Sequence, residues 1–142
     1  METLIFDEDY LKLYHSAEHQ RVKAVWNGFI SGNVFKHAVT FCTDLMIERN
    51  VLYWLADNRK LKALRETDQQ WFLKEIAPRM GASNLRKMAT LVSEDIFNQL
   101  AIDTLFVKGN HMIRFDNHYF KTEEEGLAWL EKDSVMNAMY NK

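Results

Sequence analysis

The sequence predicts a single α/β domain on a mixed sheet, antiparallel at its start and parallel thereafter, with the order β-β-β-α-β-α-β-α-β-α. Three observations carry that prediction. Over the first quarter of the chain apolar residues alternate with polar ones, the period of strands with one face buried. After Gly28 the period lengthens to that of amphipathic helices. Between those helices lie short continuous apolar runs, which suit strands covered on both faces and joined by crossovers.

The elements follow in order. Leu4 and Phe6, then Leu11 and Leu13, then Val22, Ala24 and Trp26 mark three antiparallel strands, with turns at Asp7-Glu8-Asp9 and over residues 15–19. Ser31 is placed to cap a helix whose stripe is Val34, Phe35, Ala38, Phe41, Cys42, Leu45 and Met46. The run from Val51 to Ala56 is the first parallel strand. Thr67-x-x-Gln70 has the spacing of a capping box, ahead of a stripe of Trp71, Phe72, Ile76 and Met80. Pro78 lacks an amide hydrogen and is expected to kink or end that helix, with Gly81 as its stop. Met88 to Val92 is a second central strand. Ser93 is placed as the next cap, with Glu94 and Asp95 complementing the dipole and Ile96, Phe97, Leu100, Ala101, Thr104 and Leu105 facing inward. Residues 111–120 read either as two strands or as one irregular edge strand. Thr122-x-x-Glu125 is a capping box for a final helix through Leu127, Trp129 and Leu130.

Composition narrows the class. The chain has 142 residues, 47% of them apolar and 13% aromatic, with five Gly and one Pro, which argues against disorder and linker-rich architecture. Cys42 is the only cysteine, so no internal disulfide framework exists. The formal net charge of −2 supplies no basic field for nucleic acid or an anionic membrane. No apolar run approaches the ~20 residues of a spanning helix, and the acidic opening METLIFDEDY does not read as a signal peptide. We expect one domain over residues 1–132 and a C-terminal tail over 133–142, in a reducing, cytoplasmic setting.

Ligands of open α/β sheets gather beyond the carboxyl ends of the strands. That rule selects Gly28 to Ser31, Asp57-Asn58-Arg59, Ser93-Glu94 and Lys121-Thr122. Asp57 and Arg59 read as a recognition pair, or else as a cap and a surface ion pair, since structural pairs mimic sites. No strand is followed by a glycine-rich phosphate loop. His15 and His19 flank a turn without a third ligand at metal spacing, so neither metal nor other cofactor is expected. Cys42 lies on a helix stripe as a small core residue, and Ser31 and Ser93 read as caps, not nucleophiles. Asp57, Arg59 and Glu94 are the best acid–base trio available, and they do not amount to an enzyme. Seven Met and the adjacent Trp71 and Phe72 leave an apolar surplus that a partner subunit or a hydrophobic ligand would use.

Five segments together resemble a known family. They are Trp54-Leu55-Ala56-Asp57-Asn58-Arg59, Asp68-Gln69-Gln70-Trp71, Pro78-Arg79, Val92-Ser93-Glu94-Asp95-Ile96-Phe97, and residues 119–130. The family is that of small stand-alone bacterial STAS-like proteins, related to anti-sigma-factor antagonists and to the lipid-binding CRAL-TRIO fold. The resemblance spans about Phe6 to Leu130. It implies a mixed sheet with packed helices and a non-enzymatic signalling or binding module. Antagonists of the wider family carry a phosphorylatable Ser or Thr after the strand ending here at Asp57. This chain has Asn58, Arg59 and Lys60 there and no hydroxyl before Thr67. The expectation is therefore a homodimeric module acting by protein–protein contact, with Asp57, Asn58, Arg59, Trp71, Ser93 and Glu94 as the candidate surface. The alternative is a carrier or sensor of a hydrophobic small molecule or lipid, which calls for a cavity of several hundred Å3.

Overall fold

The computed structural model describes the backbone of residues 2–140 and the side chains of residues 2–132. Six strands form one sheet in the order of the chain: β1 (Thr3–Glu8), β2 (Leu11–Ser16), β3 (Arg21–Gly28), β4 (Tyr53–Leu61), β5 (Lys87–Leu91) and β6 (Asp116–Phe120). β1 to β3 pair antiparallel, and β3 to β6 pair parallel. The predicted mixed sheet and its element order hold.

The parallel strands step across the sheet in one direction, so crossovers of one hand put their helices on one face. These are α1 (Gly32–Glu48), α2 (residues 66–82) and α3 (Ile96–Lys108). They cover the main core, where Trp54, Ala56 and Met88 meet Phe35, Met46, Ile76, Met80 and Leu105. Among the described residues α4 (Glu123–Tyr140) is the helix that covers the other face, with Leu130 buried among Tyr53, Leu55, Ala89 and Leu91. Gly126 permits that packing, because a Cβ there would lie 3.0 Å from Leu55 Cδ1. The expected tail over 133–142, with Met136, Met139 and Tyr140, has its side chains outside the described residues. Among the described residues no helix is long and apolar enough to cross a membrane.

Several local expectations are corrected. β4 runs on to Leu61, so Asp57, Asn58 and Arg59 belong to the strand and not to a loop after it. Residues 111–120 hold one strand, β6, at the sheet edge. On α1, Val34 and Phe41 lie exposed while the rest of the predicted stripe is buried. Ser31 is the N-cap of α1 but makes no side-chain capping bond. The amide of Gly32, at φ +58, instead donates to both carboxylate oxygens of Asp68, at 3.3 and 3.2 Å. Arg65 donates to the same carboxylate from Nε and Nη2, at 3.1 and 3.3 Å. A buried carboxylate at a helix N-terminus answers both the open amides and the dipole.

With Asp68 so engaged, α2 starts at Glu66, and Thr67 lies inside its first turn without acting as a cap. Pro78 is accommodated by a π-helical turn, Phe72–Ile76, ahead of a last α-helical stretch, Ala77–Ala82. Gly81 lies within that last stretch, packed on the backbone of Met112, and is not the helix stop. Thr122 behaves as predicted: its Oγ1 accepts the amide of Glu125 at 3.2 Å and donates to Glu125 Oε1 at 3.0 Å.

Candidate functional site

β4 alternates, and its alternation divides the predicted site. Asp57 and Arg59 point to the face covered by α4, while Asn58 points with Trp54 and Ala56 to the face covered by α1, α2 and α3. Arg59 donates from Nε to Asp57 Oδ1 at 2.9 Å and from Nη2 to Asp57 Oδ2 at 2.8 Å. Its backbone amide donates to Oδ1 as well, at 3.2 Å. The two residues therefore satisfy one another; of the two sequence readings, a recognition pair or a turn cap with a separate surface pair, it is the separate surface pair of Arg59 that is corrected.

Burial alone would push the Asp57 carboxyl up. The hydrogen bonds and charge of Arg59, with the charge of Lys23, outweigh that and hold it below the ordinary value. Arg59 also lies in the field of Glu123 and Glu94, and Lys23 Nζ is 3.6 Å from Glu123 Oε1. Around the end of β4 the carboxylates of Asp57, Glu94 and Glu123 thus face the two cations Arg59 and Lys23.

Because the folded carboxyl of Asp57 has a depressed pKa, the stability it supplies is complete above the unfolded value near ~3.9 and is lost as pH falls through the folded value. The Tm difference between the protein and Asp57→Asn is expected to be constant from about pH 5 to 8 and to shrink below about pH 4. A difference that persists unchanged well below that range would show that the ion pair is not its source.

Ser93 and Glu94 join the same end of the sheet, in roles the sequence did not indicate. Ser93 Oγ donates to Leu61 O at 2.7 Å and accepts the amide of Asp95 at 3.0 Å, and the amide of Glu94 donates to Arg59 O at 3.2 Å. The cap of α3 is Asp95, whose Oδ1 accepts the amide of Phe97 at 2.9 Å. Trp71 stands apart from this group. It meets Phe35 edge to face at 6.1 Å, and Lys36 Nζ lies 5.7 Å over its ring. The structure thus brings together Asp57, Arg59, Ser93 and Glu94, separates Trp71 from them, and turns Asn58 to the opposite face.

Other candidate groups are engaged locally. His19 Nδ1 lies 2.9 Å from Ser16 Oγ, and His15 Nδ1 lies 3.3 Å from Arg49 Nη1. Cys42 is buried, and burial pushes its thiol far up, away from the thiolate form.

Sequence reasoning missed the orientation of α3. Ile96, Phe97, Leu100 and Val107 are 67%, 69%, 56% and 76% exposed, while Asn98 is 0% exposed. The expected inward stripe is thus correct only for Ala101 and Leu105. The cause lies at the end of β4. Two carbonyls there, Leu61 O and Lys62 O, need donors, and Ser93 Oγ and Asn98 Nδ2 supply them at 2.7 and 2.8 Å. Turning Asn98 inward turns the apolar side of the helix outward.

This arrangement of strands and helices has a solved counterpart. An uncharacterized protein of the DUF3478 family with a SpoIIAA-like fold, from Shewanella loihica PV-4, superposes with a TM-score of 0.53 over 92% of each chain, at 14% sequence identity. The fold is SpoIIAA-like. The STAS-like resemblance of the sequence therefore holds at the level of fold. No protein-family profile matches the chain, and no curated protein does.

Proposed function

We propose that this SpoIIAA-like domain is a non-enzymatic binding module of the cytoplasm that works through protein–protein contact, and that its contact surface is the outer face of α3, joined to the same face of a second copy. One observation carries the reading: α3 buries Asn98 and exposes Ile96, Phe97, Leu100 and Val107. Four of the nine large apolar residues exposed among the described residues lie on this one helix of 13 residues. Contiguous exposed apolar surface marks an interaction site more often than chance exposure.

Charge favours a second copy in antiparallel alignment. The face begins at Glu94 and Asp95 and ends at Lys108. An antiparallel pair sets the acidic start of each helix against the basic end of the other and opposes the two dipoles. It also sets Ile96 of each copy toward Val107 of the other, the self-complementary matching that a two-fold axis requires. The two-bond pairing of Asp57 with Arg59 supports a non-catalytic reading, because each charge is met by the other.

A lipid carrier receives less support. The cavity lined by Asn58 measures about 120 Å3, well below the roughly 300–1,000 Å3 of ordinary ligand sites. Sedimentation equilibrium over a micromolar to millimolar range tests the proposal. It predicts a mass of two chains at the upper end and reversible dissociation on dilution. A single-chain mass throughout would overturn it.

A further inference from the structure

We propose that the outer edge of β1 seats an extended segment of a partner protein as an added strand, and that this segment is apolar at its centre with Lys or Arg at its ends. The inference is independent of the α3 contact, since α3 joins β5 to β6 at the far end of the sheet.

The first observation is the backbone. β1 ends the sheet and pairs with β2 alone, so its outer row of N–H and C=O groups has no strand beside it. Such a row is a template for another chain, and main-chain bonding to it is a recurrent mode of peptide recognition.

The second observation is an apolar lining on both faces of that edge. A bulge between Leu4 and Phe6 shifts the register, so that Leu4 lies opposite Tyr14 while Phe6 lies opposite Leu13. Leu4 and Phe6 consequently point to opposite faces of the sheet. Leu4 is exposed on the face that α4 shares. On the other face the Phe6 ring meets Phe41 of α1 at 4.8 Å and Tyr10 at 6.4 Å, between centroids. Val34 and Phe41 follow one another about two turns apart along one side of α1, and both are exposed. A strand laid along β1 brings alternate side chains against Phe6 and Phe41 on one face and Leu4 on the other.

Charge selects the occupant. Glu2 and Glu8 bracket the strand, and Asp9 follows it. Asp7 is held by Lys12, and Glu2 shares Lys23 with Glu123. Glu8 and Asp9 form no salt bridge among the described residues. A second copy of β1 is a poor occupant. In antiparallel alignment centred on Ile5, Glu2 of each copy lies opposite Glu8 of the other, and in parallel alignment acid again lies beside acid. A segment with Lys or Arg at both ends meets an acid at each end, whichever way it runs.

The probe is a seven-residue peptide with lysine at both ends and alternating valine and threonine between them. Titration followed by residue-resolved hydrogen exchange is expected to show saturable binding, with alternate amides of Thr3–Glu8 gaining protection and residues 96–108 unchanged. Methylating the five central backbone nitrogens keeps the side chains and the charge, and is expected to remove that protection. Glutamate in place of the two lysines is expected to weaken binding about tenfold, as two attractive cross-strand pairs become repulsive. Glu8→Lys, at an exposed position, is expected to remove most of that difference. No saturable binding up to millimolar peptide, equal binding of the methylated peptide, protection at β6 or α3 in place of β1, or a lysine preference unchanged by Glu8→Lys would each overturn the proposal.

Discussion

Phe97→Glu is expected to hold the chain as a folded monomer at concentrations where the unchanged protein is a dimer. Phe97 is 69% exposed in the single chain, so the substitution removes little intramolecular packing and Tm should move by no more than about 2 °C. In the dimer the same residue occurs twice, because a two-fold interface presents one patch from both copies. A central aromatic anchor is worth about 2 kcal/mol or more per copy, so the pair should weaken by about a thousandfold. Leu100→Glu should act alike. By contrast Leu4→Glu, on the exposed edge strand β1, should leave association unchanged. Sedimentation with parallel thermal unfolding checks the set. Loss of association by Leu4→Glu but not by Phe97→Glu would move the contact to the sheet edge.

Gly81→Ala is expected to be the most damaging conservative change within the fold. A Cβ at this position would lie 1.9 Å from the carbonyl oxygen of Met112 and 3.0 Å from its carbon. Both are backbone atoms, so no rotamer change relieves the clash, and the end of α2 must separate from the loop after α3. Overpacking of that kind costs about 3 kcal/mol, or roughly 10 °C in Tm at this chain length. Gly28→Ala is the comparison. Its Cβ meets nothing within 4 Å, although φ is +88°, so only the left-handed backbone penalty of about 1–2 kcal/mol applies. Thermal unfolding of the two variants ranks them. Equal losses would show that close approach at Gly81 is not the cause.

What the sequence made legible was local. Alternation at Leu11 and Leu13 and at Val22 and Ala24 identified β2 and β3, because each buries a face of period two. Thr122 and Glu125 lie three residues apart, and their box could be read directly. The misreadings share a longer range. Asp68 caps α1 from 36 residues away, so no spacing near Ser31 reveals it. β4 carries four polar residues before Leu61, and such a run reads as a loop unless the pairing of Asp57 with Arg59 is known.

The same limit hid the candidate contact face. Periodicity finds a stripe on α3 but does not say which way the stripe faces. The rotation is set by Leu61 O and Lys62 O, which lie more than 30 residues earlier and require Ser93 and Asn98. Of the predicted site, Asp57, Arg59, Ser93 and Glu94 do converge, yet as a bonded end to the sheet. Asn58 was selected for its neighbours and proves to belong to the cavity instead.

The central claim, that the outer face of α3 joins a second copy, is tested most directly by a dilution series followed through backbone amide resonances. From millimolar to micromolar protein, the amides of residues 96–108 are expected to shift together along one binding isotherm, while those of β1 and of the α4-covered face stay fixed. Resonances of α3 that do not move over that range, or concentration-dependent shifts confined to another surface, would contradict it.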